Sequence, residues 1–141
     1  MPHFLRANGR LHHYRYREGS GGTKIVLVNS LGTDLRAWDA VVSCLPYDVS
    51  VLSYDKSGHG LSEGGATTTD EFATDLESLM ESLGISSALV CGVSFGGMIA
   101  QALAAKRPDL VKSLVLSNTG LRIGTHESWS ERMEALIQRG L

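Results

Sequence analysis

Four short, nearly continuous apolar runs, "KIVLVNS", "VSVLSYD", "SALVCGV" and "KSLVLSNT", constrain this chain more than any other feature. Runs of this length without polar alternation are the pattern of strands covered on both faces, which belong to a parallel sheet. Between them the apolar period changes to three and four, with Leu35, Trp38, Val42 and Leu45 in one segment and Phe72, Leu76, Leu79, Met80 and Leu83 in the next. Thr68 and Glu71 have the spacing of a capping box ahead of the second helix, and Gly84 is placed to end it. A third helix is expected from Phe95 to Arg107, where Pro108 blocks continuation. Asn8-Gly9 separates "HFLRA" from "RLHHYRYR" and suits a two-residue hairpin turn, so the chain opens with two antiparallel strands. The predicted fold class is α/β, a mostly parallel sheet with helices on both faces, preceded by an N-terminal antiparallel hairpin.

A chain of 141 residues with 43% hydrophobic content can build one core. Its 13 basic and 15 acidic residues are spread along the sequence and offer no basic face for nucleic acid or an anionic membrane, which leaves a small molecule as the expected partner. No stretch approaches the roughly 20 apolar residues of a membrane span. The start "MPHFLRANGR" lacks the apolar segment of a secretory signal, so a cytoplasmic location is expected. Cys44 and Cys91 form neither a disulfide framework nor a metal pattern and read as reduced, structural thiols, with Cys91 in a buried strand. His12 and His13, in the opening hairpin, are expected on the sheet surface.

The stretch "CGVSFGG", residues 91–97, carries the chemistry. G-x-S-x-G has mechanical meaning when a buried strand enters it and a helix leaves it, because the sharp turn then lifts the serine above the sheet. Both conditions hold around Ser94, which makes it the candidate nucleophile at the carboxyl end of a parallel strand. Gly92 and Gly96 fall where a Cβ would collide with neighbouring backbone. The Phe95 amide, at the start of the following helix, faces the same spot and can stabilise a developing oxyanion. A second donor is expected from the turn "NSLGTD", residues 29–34, with the Leu31 amide as candidate.

With these residues placed, "VNSLGTDLRAWD", "YDKSGHGLSE", "CGVSFGGMIAQALA" and "LVLSNTGLRIGTHESW" together make a chain that resembles the α/β-hydrolase family. The last stretch and the Asn-Ser-Leu-Gly turn point to its enol-lactonase subgroup. The resemblance implies a cofactor-free, metal-free carboxylic ester hydrolase, with Ser94 as nucleophile and the amides of Leu31 and Phe95 as oxyanion hole. The implied reaction opens a small anionic lactone, 3-oxoadipate enol-lactone, in the degradation of aromatic compounds. Arg122, and after it Arg132, are candidates to meet the lactone's free carboxylate. Trp129 either lines the pocket or packs the cap helix. Ser57 departs from the pattern, since relatives carry Arg there, and a loop-bracing cation is thereby lost. His59, in the same turn, has a structural role by the family's triad order of serine, acid, histidine.

The resemblance covers the whole chain but the first half of the family's fold, with residues 1–122 matching the core and 123–141 the start of a helical cap. After Ser94 the acids are Asp109, Glu127, Glu131 and Glu134, and His126 is the one histidine, either a solvated loop residue or an improvised base. None follows a late strand in the required order. Strand 112–119 would have an unpaired edge, and the stripe Trp129, Met133, Leu136 and Ile137 nothing to pack against. The expectation is a part of a longer hydrolase, inactive alone, with more of the same protein or another chain covering both surfaces. A non-catalytic binding module on the same fold, or another esterase or haloperoxidase-like relative, stays open.

Overall fold

The structure, a computed structural model, describes residues 2–140. The chain opens with β1 (His3–Ala7) and β2 (Arg10–Arg17), joined through Asn8 and Gly9, whose φ angles of 48° and 77° are those the hairpin turn requires. Then follow β3 (Lys24–Val28), a 3-10 turn (Leu35–Trp38), α1 (Asp39–Cys44), β4 (Ser50–Tyr54), α2 (Thr69–Ser82), β5 (Ala88–Val93), α3 (Phe95–Lys106), β6 (Val111–Ser117) and α4 (His126–Arg139). The six strands form one sheet in the order β1-β2-β4-β3-β5-β6. β3 through β6 are parallel, and β2 joins β4 antiparallel. From β3 the chain moves outward to β4, then crosses back to β5 on the other side of β3. The loops leaving β3 and β5 therefore diverge, and the crevice between them is where open α/β sheets bind ligands.

α2 and α3 cover one face. Leu76, Leu79 and Met80 of α2 and Ile99, Ala100 and Leu103 of α3 pack on Val26, Val28, Leu52, Tyr54 and Val90 of the sheet. The expected capping box of α2 is formed by Thr68 and Glu71, and Gly84 takes the left-handed conformation just past its end. Arg107 ties the two helices together through Glu77 (2.7 Å) and Glu81 (2.5 Å).

The opposite face differs from expectation. The predicted first helix divides into a 3-10 turn and the six-residue α1, because Asp34 caps Arg36 and tightens the first turn. These lie over the hairpin side of the sheet, where Arg15 pairs with Asp39 (2.7 Å) and Arg17 donates to the carbonyl of Pro46 (2.8 Å). β4 is buried throughout, as its apolar run implies, but Leu89, Cys91 and Val93 of β5 are only half-buried, and β6 exposes Val115 and Leu116. His12 and His13 are buried, not on the surface, because the loop after β4 folds back over the hairpin. His13 Nδ1 donates to Asp55 Oδ2 (2.8 Å), and His12 lies edge-on to Tyr54.

Candidate active site

Ser94 connects β5 to α3 with φ 55° and ψ −121°, a conformation that costs a non-glycine residue of order 1–3 kcal/mol and clusters at functional sites. The surrounding chain enforces it. Ser94 N–H donates to Ser117 O at the end of β6 (3.0 Å), and Ser94 O accepts from Thr119 Oγ1 (2.6 Å) and from Gly97 N–H (2.9 Å). The glycines make the turn sterically possible: a Cβ at Gly92 would strike the backbone of Gly96 and Gly97, and one at Gly96 the carbonyls of Val28 and Asn29. α3 is thereby drawn against the end of β3, and the elbow against the turn that follows that strand.

A cavity of about 260 Å³ opens at this point, lined by Leu31, Ser94, Phe95, Met98, Ile123 and Trp129. The structure thus brings together four of the residues singled out from sequence: Ser94, Leu31, Phe95 and Trp129. Arg122 is exposed on the loop between β6 and α4 and does not line the cavity. Arg132 lies with its guanidinium carbon 5.4 Å from the centre of the Trp129 ring. Trp129 is half-buried and donates from Nε1 to Ile123 O (2.6 Å), which ties α4 to the loop before it. Met98 and Ile123 were not singled out; Met98 lies four residues beyond Ser94, one helical turn on, and that spacing was the available signal.

The turn after β3 is held by the loop after β4. Lys56 Nζ donates to Ser30 O (2.9 Å), His59 Nε2 accepts from Gly32 N–H (3.1 Å), and Asp55 Oδ1 accepts from Leu35 N–H (2.8 Å). Asn29 adds a side-chain hydrogen bond to Thr33 Oγ1 (3.0 Å) within the turn. His59 Nδ1 donates to Ser57 O (3.0 Å), so its proton sits on Nδ1 and Nε2 is free to accept. Burial lowers the His59 pKa, in keeping with a neutral ring, and His59 is not among the residues lining the cavity at Ser94. Lys56, one position before Ser57, bonds the turn after β3 rather than its own loop, which Ser57 Oγ braces by donating to Glu63 O and accepting from Ala66 N–H.

Chemically, a hydroxyl on a strained turn, the amide of the next residue and a second amide across the crevice can together attack a carbonyl and hold the resulting oxyanion. Among the described residues, no acid or histidine lines the cavity. Asp109 is bound by Arg107 (2.9 and 2.8 Å), and His126 is exposed at the first turn of α4.

A mostly parallel sheet with a strained serine at a strand-to-helix turn above its switch point defines the hydrolase class of α/β fold. The chain belongs to the alpha/beta hydrolase fold family, which it matches over residues 24–139. Among curated proteins it is 33% identical over 119 residues to 3-oxoadipate enol-lactonase 2 of Acinetobacter baylyi, covering 83% of this chain and 45% of that protein. It is 35% identical over 118 residues to 3-oxoadipate enol-lactonase 1 of the same organism, covering 83% and 44%. Among solved structures, the enol-lactonase from Burkholderia xenovorans LB400 superposes with a TM-score of 0.90 at 39% identity, over 98% of this chain and 55% of that one. The chain spans about half the length of the relatives it matches.

Proposed function

We propose that this chain is the nucleophile-bearing half of a serine hydrolase that opens a small anionic lactone of the 3-oxoadipate enol-lactone type. The observation that carries the reading is the strained conformation of Ser94 at the mouth of a cavity shared with Leu31 and Phe95. In the complete protein Ser94 Oγ attacks the lactone carbonyl while a histidine supplied by the remainder of the protein takes its proton. The Leu31 and Phe95 amides hold the oxyanion, the ring oxygen leaves with a proton, and water releases the open-chain acid. Leu31, Phe95, Met98, Ile123 and Trp129 give the cavity an apolar wall suited to a compact ring. Arg132 above Trp129, and Arg122 on the preceding loop, are the cations proposed for the free carboxylate. Residues 1–122 act as the core and 123–141 as the start of a cap. The remaining protein, or another chain, covers β6 and the apolar stripe of α4.

The test is turnover of an enol-lactone and of p-nitrophenyl acetate by the complete protein and its Ser94→Ala variant. Loss of at least about 1,000-fold in kcat with an unchanged fold is expected. Undiminished turnover would remove Ser94 from the mechanism. A second reading is a binding module that retains the pocket without chemistry. Lactone binding without turnover by the complete protein would select it.

A further inference from the structure

Lys56 is fully buried, yet the partner of its ammonium is a neutral carbonyl, that of Ser30, at 2.9 Å. The carboxylates near it are engaged elsewhere. Asp55 accepts from Leu35 N–H, Leu61 N–H and His13, and Asp34 is bound by Arg36. A buried cation so placed does less for stability than an apolar side chain of the same length would. Its contact explains its presence better. The Ser30 carbonyl and the Leu31 N–H are the two ends of one trans peptide and point in opposite directions. The end held by Lys56 faces the loop after β4, and Leu31 borders the cavity at Ser94. Thr33 Oγ1 donates to the same carbonyl (2.9 Å), and the next amide, that of Gly32, is taken by His59 Nε2 (3.1 Å).

We propose that Lys56 is a positioning residue for the oxyanion hole: by gripping the Ser30 carbonyl it fixes the peptide plane so that the Leu31 N–H is presented to the Ser94 cavity. The cation also polarises that peptide, which strengthens the N–H as a donor to developing negative charge. This rests on the reading of the Leu31 amide as an oxyanion donor. Burial lowers the Lys56 pKa to about 8, against the opposing pull of Asp55 and Asp34, while the neighbouring His59 is held neutral by its own burial. The grip is therefore charge-assisted at neutral pH and weakens on mild alkalinisation.

The experiment has two arms. In the first, the 15N-labelled complete protein is titrated from neutral to alkaline pH by amide NMR, alongside Lys56→Met and Lys56→Arg. The Leu31 resonance is expected to shift with a midpoint near 8 in the unaltered protein. It should be displaced and flat with pH in Lys56→Met, and should keep its neutral-pH position without the step in Lys56→Arg. In the second arm, p-nitrophenyl acetate turnover is measured in the complete protein. Lys56→Met is expected to lower kcat roughly tenfold or more with KM little changed, and Lys56→Arg to restore most of it. A Leu31 resonance indifferent to both pH and Lys56→Met, with kcat within about twofold of the unaltered protein, overturns the proposal. The amide spectrum itself reports whether each variant is folded. The two readings fail separately: turnover that survives Ser94→Ala removes the hydrolase mechanism, while the Leu31 titration still decides the grip.

Discussion

Lys56 and Ser94 are both costly where they stand, and the costs can be measured. The Lys56 pKa is lowered from 10.5 to about 8, so between these values the unfolded chain binds more protons than the folded one and stability rises with pH. Below that window the folded state carries the full penalty, about 3 kcal/mol. Lys56→Met removes it and forfeits one hydrogen bond of about 1 kcal/mol. The variant should therefore be more stable at pH 7 by about 1–2 kcal/mol in urea unfolding, with the advantage shrinking above pH 8. A gain in stability with a loss of turnover is the signature of a residue kept for function. Of the two, only Ser94 was legible in sequence. Its neighbours Gly92 and Gly96 announce a close turn, whereas Lys56 sits in a polar hexapeptide, "DKSGHG", that reads as a solvated loop. Nothing local says that the loop folds under the Ser30 carbonyl, because its partner lies 26 residues away.

At the scale of elements, the loop after β4 is organised around the buried Asp55 carboxylate, which bonds Leu35 N–H, Leu61 N–H and His13 and so joins three segments. Gly60, at φ 52°, is required beside it, since a Cβ there would strike that carboxylate. Burial also lowers the pKa of His12 and His59, the latter an acceptor for Gly32 N–H. For a base so shifted, the stability is present above the unfolded value near 6.5 and is lost as pH falls below it. Urea midpoints should therefore fall on acidification from pH 7 to 5, and less steeply in His59→Gln, whose side-chain oxygen can still accept from Gly32. The hairpin turn at Asn8-Gly9, the capping box of α2 and the elbow were readable because each is fixed by residues within a few positions. The burial of His12 and His13 and the division of the first helix were not. The histidines depend on a loop more than 40 residues distant, and the 3-10 turn on how the chain leaves the sheet at Asp34.

Across the whole molecule the two faces of the sheet are unequally covered. α2 and α3 cover one face, while Leu89, Cys91 and Val93 of β5 are half-buried on the other and most of β6 is exposed. The outer edge of β6 pairs with no strand among the described residues, and α4 turns Met133, Leu136 and Ile137 outward at 61%, 44% and 81% exposure. Such an edge and stripe associate with whatever presents a matching surface. The 141-residue chain alone should therefore sediment as a concentration-dependent mixture, and Val115→Lys with Ile137→Lys should shift it toward monomer. A monodisperse monomer before substitution would contradict this. The open edge of β6 and the bare stripe of α4 were expected from the sequence, but the half-open face of β5 was not, because a half-covered strand and a fully covered one are written in the same residues. The end of β6 and the loop just after it also hold the elbow: Ser117 and Thr119 bond the backbone N–H and carbonyl of Ser94, and Thr119 packs against Gly97. During synthesis the chain emerges from its N-terminus. Ser94 thus leaves the ribosome before the residues that give it its shape, and the nascent serine stays chemically ordinary until some twenty-five later residues have followed it out and docked.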